Sequence, residues 1–152
     1  QVFLGLVLLD MKVYIRHRFT HKFMWNVHAV HHTAHDINWL TGWRLHPSEL
    51  FVDIAFTIPF MYLLGFSGDG IVTASSIMFV FNLFTHANLN LEYPSFMRYI
   101  IGSPNFHRWH HAKFEKEAFG KNFTVMFPFI DLVLGTFYYP KGKLNPFPGP
   151  KK

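Results

Sequence analysis

At 152 residues the chain is one domain's worth of sequence, long enough to bury a sizeable core. Half of its residues are hydrophobic, Phe alone supplies 19, and only 15% carry formal charge, against about 25% in an average soluble domain. That balance points to a lipid environment. The 11 His point to metal, and the absence of Cys excludes a disulfide framework, a zinc finger, an iron–sulfur cluster and a cysteine nucleophile.

The net charge of +5 is not gathered into one stripe. Its basic residues flank apolar runs (Lys12, Arg16, Arg18 and Lys22, then Arg98, Arg108 and Lys113, then a Lys/Pro tail). This is the pattern of the positive-inside bias in membrane proteins, and it argues against nucleic-acid binding.

In chain order, an apolar run from Val2 to Leu9 comes first, with no initiator Met and no signal-peptide n-region. It reads as the cytosolic end of a membrane helix, in a fragment truncated at its N-terminus. From about Leu9 to Val30 the pattern predicts one helix carrying His, Arg and aromatics, without Pro or Gly. A polar loop is expected from Thr33 to Pro47. Two runs, Phe51 to Phe66 and Ile71 to Phe84, are apolar on every face and are separated by a Gly/Ser/Asp turn at 65–70. They predict a membrane hairpin over about 51–84, although each is near or below the ~17–25 residues a spanning helix needs. Polar, His-rich sequence then runs to about Lys121, followed by a mixed apolar segment (Phe123 to Tyr139) and a Pro/Lys-rich tail over about 140–152. A single all-α domain is expected: an integral membrane helical bundle under a cytosolic, histidine-rich helical cap.

Three histidine clusters carry the chemistry. His17 and His21 form an HxxxH pair; His28, His31 and His32 form one HxxHH motif, and His107, His110 and His111 a second. Residues three and four apart lie on one face of a helix, so each cluster is expected to aim its imidazoles at a common point. Neutral imidazole suits Fe, Zn, Cu and Ni alike. Eight clustered imidazoles exceed one site once a position is kept open for chemistry, so two metals are the simplest use of them. Neither Glu-x-x-His nor His-Glu-x-x-His occurs, which leaves the metals held by nitrogen. His35 lies off this spacing in a polar loop and is not expected to ligate. His46 is expected to support the site or the fold.

At these residues the sequence resembles the fatty acid hydroxylase / sterol desaturase superfamily of integral membrane enzymes, over nearly its full length. The resemblance includes Asp10, His17-Arg18 with His21, Trp25, the block from His28 to Thr33, Asn38, and Arg44-Leu45-His46-Pro47. It continues through Thr85-His86-Ala87-Asn88, the block from Ser103 to His111, Asn122, and Ile130 to Thr136. Ile130 and Leu134 stand where the family usually has Trp and Phe. Asn90 stands where the hydroxylase branch tends to place a second His after the one matching His86.

The resemblance implies a four-helix-type membrane domain whose histidines bind two iron ions. The ligands carried over are His17, His21, His28, His31, His32, His86, His107, His110 and His111, with Asn88, Asn90 or water as a tenth. It implies O2-dependent hydroxylation or desaturation of a lipid C–H bond at the metal centre, with no separate catalytic side chain. It also implies a multi-pass membrane protein whose histidine site faces the cytoplasm. No flavin or haem motif is present, so an external electron donor is expected, such as a cytochrome b5-like protein or a ferredoxin and its reductase. Arg108 and Lys113 are expected to steer that donor. Asp10, two helical turns before His17, is expected to accept from an imidazole N–H, and Arg44 to pair with Glu49. The competing reading of the same imidazoles is a zinc membrane hydrolase or a metal-binding scaffold without redox activity.

Overall fold

Residues 2–23 contain no proline and one glycine, and they form a helix, α1 (Val2–Phe23). The computed structural model describes residues 1–112 and 115–140, and those residues hold helices and turns with no strand. The helix expected to run on to Val30 is instead broken at Met24 (φ −131°, ψ 37°), and α2 (Trp25–His32) starts beyond it. The physical reason is reach. A continuous helix would hold His17 and His32 about 22 Å apart, at 1.5 Å per residue. The break folds α2 back, so that its histidines meet those of α1.

The stretch expected to be loop holds a 3-10 turn, Trp39–Trp43, capped by Asn38 and Thr41 in a reciprocal pair of side-chain hydrogen bonds. Pro47 opens α3 (Pro47–Leu63) at a position where its missing N–H costs nothing, and His46 caps that helix by accepting from the Ser48 N–H. The turn expected at 65–70 lies at its start, where Gly65 takes a left-handed conformation (φ 81°) and Ser67 caps α4 (Gly68–Thr85). Two short helices follow, α5 (Pro104–His110), capped by Ser103, and α6 (Pro128–Val133). The tail beyond Pro140 and the residues 113–114 lie outside the described residues.

Helix α3 is not apolar all round in the way its sequence suggested; it is inside out. Glu49, Asp53 and Thr57, each one turn after the last, lie inward, and Glu49 is 4% exposed. Phe51, Phe56 and Leu63 point outward at 74%, 68% and 87% exposure. In water this would expose a large apolar surface, the opposite of the usual arrangement. Helix α4 is the one described helix long and apolar enough to cross a membrane.

The core joins α1, α3 and α4 to the segment after Asn122, through Leu9, Tyr14, Met61, Ile71, Met78 and Ile130. Two buried carboxylates fix that segment. Asp10 accepts from the backbone N–H groups of Val125, Met126 and Phe127. Asp131 accepts from those of Phe123 and Thr124 and from the Thr136 hydroxyl. Asp10 therefore holds backbone and touches no imidazole, against expectation. The next loop approaches closely: a Cβ on Gly102 would lie 2.1 Å from the Val125 carbonyl oxygen.

Replacing Asp10 with Ala leaves three buried N–H donors without an acceptor. Since one such orphan costs about 1–3 kcal/mol, Asp10→Ala should destabilise the chain by about 3 kcal/mol or more, read as a lowered thermal unfolding midpoint in detergent.

Candidate metal centre

Nine histidines converge in two groups. His17, His21, His28, His32 and His110 form the first; His31, His86, His107 and His111 form the second, with the donor nitrogens of each group within 4.8 Å of one another. All are buried except His21, which is half-buried. The sequence suggested that each HxxHH motif would serve one point, but the structure divides both motifs. In each, the residues four apart go to one group and the middle one to the other: His28 and His32 against His31, His107 and His111 against His110. Helix geometry permits this split, because side chains four apart diverge by about 40°, those three apart by about 60° and those one apart by about 100°. The pair four apart is the best aligned to share a centre, and the surrounding helices decide where the third ring goes. His86, the C-cap of α4, is delivered to the second group by the end of that helix.

The rings are oriented from behind. His17 Nδ1 lies 2.9 Å from the Phe123 carbonyl, His86 Nδ1 2.8 Å from that of Asn82, and His110 Nδ1 2.7 Å from that of Lys121. His28 Nδ1 lies 2.9 Å from the Glu49 carboxylate. Carbonyl and carboxylate oxygens only accept, so Nδ1 carries the proton in these four rings and Nε2 presents a bare lone pair. Phe123 also packs its ring against His17, His21 and His110.

The Nε2 atoms then meet. Those of His21, His32 and His110 form a triangle with sides of 3.1, 3.2 and 3.2 Å. In the second group the separations are 3.3 Å for His31–His86, 2.9 Å for His86–His107 and 3.1 Å for His107–His111. The Nε2 atoms of His17 and His28 are buried without a partner. Two nitrogens bound at about 2.1 Å to one ion stand about 3.0 Å apart at a right angle and about 3.4 Å at a tetrahedral one. The observed spacings match those of ligands sharing an ion, and in the triangle, where each nitrogen carries either a proton or a lone pair, the three contacts cannot all be hydrogen bonds, a conflict that a cation relieves. The donor set therefore fits two metal ions, one per group, in an all-nitrogen environment.

Burial, then the charge of neighbouring imidazoles, pushes His31, His107 and His111 well below the ordinary histidine range. Burial lowers His86 to about 4, opposed by its bond to the Asn82 carbonyl. These four rings, the whole of the second group, are thus neutral and ready to ligate at physiological pH.

The other expected residues have different tasks. The Asn88 side-chain oxygen accepts from Arg108, that of Asn90 from Asn105, and His46 is an exposed helix cap. Arg108 is buried at 1% exposure, holding Asn88, Asn105 and the Ala87 carbonyl, and so does not present a surface charge to a donor protein. Lys113 lies outside the described residues. Glu49 pairs with Arg16 and His28, not with Arg44. His35 is exposed. The sequence reading missed Glu49 as the acid behind an imidazole; it also gave no role to Asp131, or to Asn122, whose left-handed backbone (φ 57°) and buried amide tie the Phe106 carbonyl to Tyr138.

A cavity of about 230 Å³ opens beside both groups, reaching His17 and His28 of the first and His31, His86 and His107 of the second. Gly42 lines it at close quarters, since a Cβ there would lie 2.9 Å from the Asn82 amide and 3.2 Å from the His86 ring.

The fatty acid hydroxylase family matches residues 2–136, a span that takes in both histidine groups and the loops behind them. The chain belongs to the fatty acid hydroxylase family. It is similar to the ornithine lipid hydroxylase OlsE of Rhizobium tropici, with 31% identity over 149 residues covering 92% of this chain. It spans 42% of the length of that relative. No solved structure shows significant similarity to it.

The depressed histidines fix a pH dependence for the metal-free chain. Below about pH 6.5, the ordinary histidine value, the unfolded chain binds protons that the folded chain refuses, so stability falls with pH; the contribution of His86 levels off near pH 4. The unfolding midpoint of metal-free protein should therefore drop steadily from pH 7 to pH 5. His86→Asn should make that slope shallower.

Proposed function

We propose that this chain is the catalytic region of a membrane-bound lipid hydroxylase that uses O2, two histidine-held iron ions and an external electron donor. Family membership and the lipid hydroxylase relative support the reaction class. The observation that carries the metal part is the pair of converging Nε2 sets, with no carboxylate among their ligands.

The first ion would be held by His17, His21, His28, His32 and His110, and the second by His31, His86, His107 and His111. When bound, such ions supply activation of O2 and removal of hydrogen from an unactivated C–H bond. The chain's own contribution is positional. The Phe123, Asn82 and Lys121 carbonyls and the Glu49 carboxylate fix four rings in one tautomer. Burial of the remaining rings keeps them unprotonated and keeps bulk water from the centre. The adjoining cavity admits the substrate, and no acid or base is required of a side chain there.

The apolar outward face of α3 and the spanning length of α4 support an integral membrane placement. In that arrangement the end of α4 carries His86 to the cytoplasmic side, where a cytochrome b5-like protein or a ferredoxin reaches the centre. Of the two outcomes the family allows, the hydroxylase relative favours hydroxylation over desaturation.

The test is turnover of a lipid by iron-loaded protein in nanodiscs with a chemical reductant and isotopically labelled O2. A product carrying the label, lost in His110→Ala, is the expected result. Bound zinc with reductant-independent hydrolysis of the same lipid would assign the site to the hydrolase class instead.

A further inference from the structure

One indole lies against the histidine groups from outside. Trp25, the first residue of α2, follows the break at Met24. Its ring centroid is 5.3 Å from that of His21 and 5.3 Å from that of His32, and 6.4 Å from that of His28, all three in the first group. The indole also reaches the surface, at 41% exposure, with the exposed ring of Phe119 beside it. Among the described residues it is the one Trp or Tyr whose ring packs on grouped histidines. Trp39 and Trp43 are more exposed, at 54% and 49%, but Trp43 faces Phe79; Trp109, which precedes His110, turns its ring to Tyr138.

A need for shielding explains the contact but not the residue. Any apolar ring excludes water, and Phe119 and Phe123 already pack on His21. Indole differs in giving up an electron readily. The chain has no Cys, which leaves Trp, Tyr and Met as its readily oxidised side chains. The stoichiometry of O2 gives such a residue a use. Taking O2 to the level of water needs four electrons, and in hydroxylation two come from the external donor and two from the C–H bond. When O2 reacts with no C–H bond in reach, two electrons are lacking, and the nearest oxidisable groups are the imidazoles around the metals.

We propose that Trp25 is an oxidisable outlet of the first histidine group, giving electrons inward when O2 is reduced without substrate and so sparing the imidazoles from oxidation. The inference rests on the oxygenase reading above. In each step the indole gives one electron through its contacts with His21 and His32, and its N–H proton to water. A small reductant, a thiol or ascorbate, then restores it with one electron and one proton, which its surface exposure allows. Two rounds supply the two electrons that a C–H bond would otherwise give: two thiols become one disulfide, and O2 becomes two waters. Where no such reductant is present, the indole radical takes up oxygen, and Trp25 is left as hydroxytryptophan or kynurenine.

The experiment takes the iron-loaded chain in detergent, reduces it chemically, removes the reductant, and exposes it to O2 with no lipid substrate present. Peptide mass spectrometry then locates the oxidised side chains. Oxidation at Trp25 should stand several-fold above that at Trp39 and Trp43, be unchanged by catalase, and be missing from zinc-loaded protein. Trp25→Phe keeps a ring on His21 and His32 but cannot be oxidised as readily. In that variant oxidation should move to those two histidines, and metal loss per O2 consumed should rise several-fold. Trp25→Tyr, again oxidisable, should restore the protection, which a role in shielding alone would not distinguish from Phe. Equal oxidation of the three Trp residues, or its suppression by catalase, would show a diffusing oxidant and overturn the proposal, as would a Trp25→Phe chain that behaves like the unsubstituted one. Iron oxidised by O2 with Trp25 untouched overturns the outlet alone. Iron that O2 leaves reduced contradicts the oxygenase reading and the outlet with it.

Discussion

Three imidazole nitrogens about 3 Å from one another cannot all be joined by hydrogen bonds, because each carries either a proton or a lone pair and one pair of the three must be alike. That constraint organises this chain. Six Nε2–Nε2 contacts link seven of the nine grouped histidines, three of them closing the triangle of His21, His32 and His110, and the Nε2 atoms of His17 and His28 are buried without a partner. The break at Met24, the C-cap position of His86 and the close approach of Gly42 bring the rings into place. The buried carboxylates Asp10 and Asp131 act at one remove: they fix the backbone whose Phe123 carbonyl then fixes His17.

The two groups are built alike but filled unequally. Each HxxHH motif gives a pair to one group and a single ring to the other, which makes the two groups interdependent. The first adds the pair His17 and His21, and the second adds His86 alone. A second ring four residues beyond His86 would have no helix to sit on, because α4 ends at Thr85 and the chain turns away. Asn90, at that place, is engaged with Asn105 instead. The second group is thus the one with fewer histidines, and both groups border the same cavity.

Much of this was legible in the sequence because spacing is geometry. The HxxxH and HxxHH patterns, the turn between the apolar runs and the helical class all follow from local rules. What local rules do not contain is partner choice. The division of each HxxHH motif depends on where α1, α4 and α5 stand around α2, and the role of Asp10 depends on backbone more than a hundred positions later. Glu49 looked like a surface partner for Arg44 until folding buried it beside His28. The inward stripe Glu49, Asp53 and Thr57 was diluted in sequence by the Phe and Ile between its members, and an average over all faces concealed it. Arg108 was misread for a related reason, since charge in a sequence says nothing of burial.

The most direct test is the metal count of protein purified from iron-replete cells, by elemental analysis with X-ray absorption for the ligand type. Two iron ions per chain in nitrogen coordination are expected, with one remaining in His21→Ala and one in His86→Ala, each variant emptying its own group. A single ion in the unsubstituted chain, or none, would contradict the two-centre account.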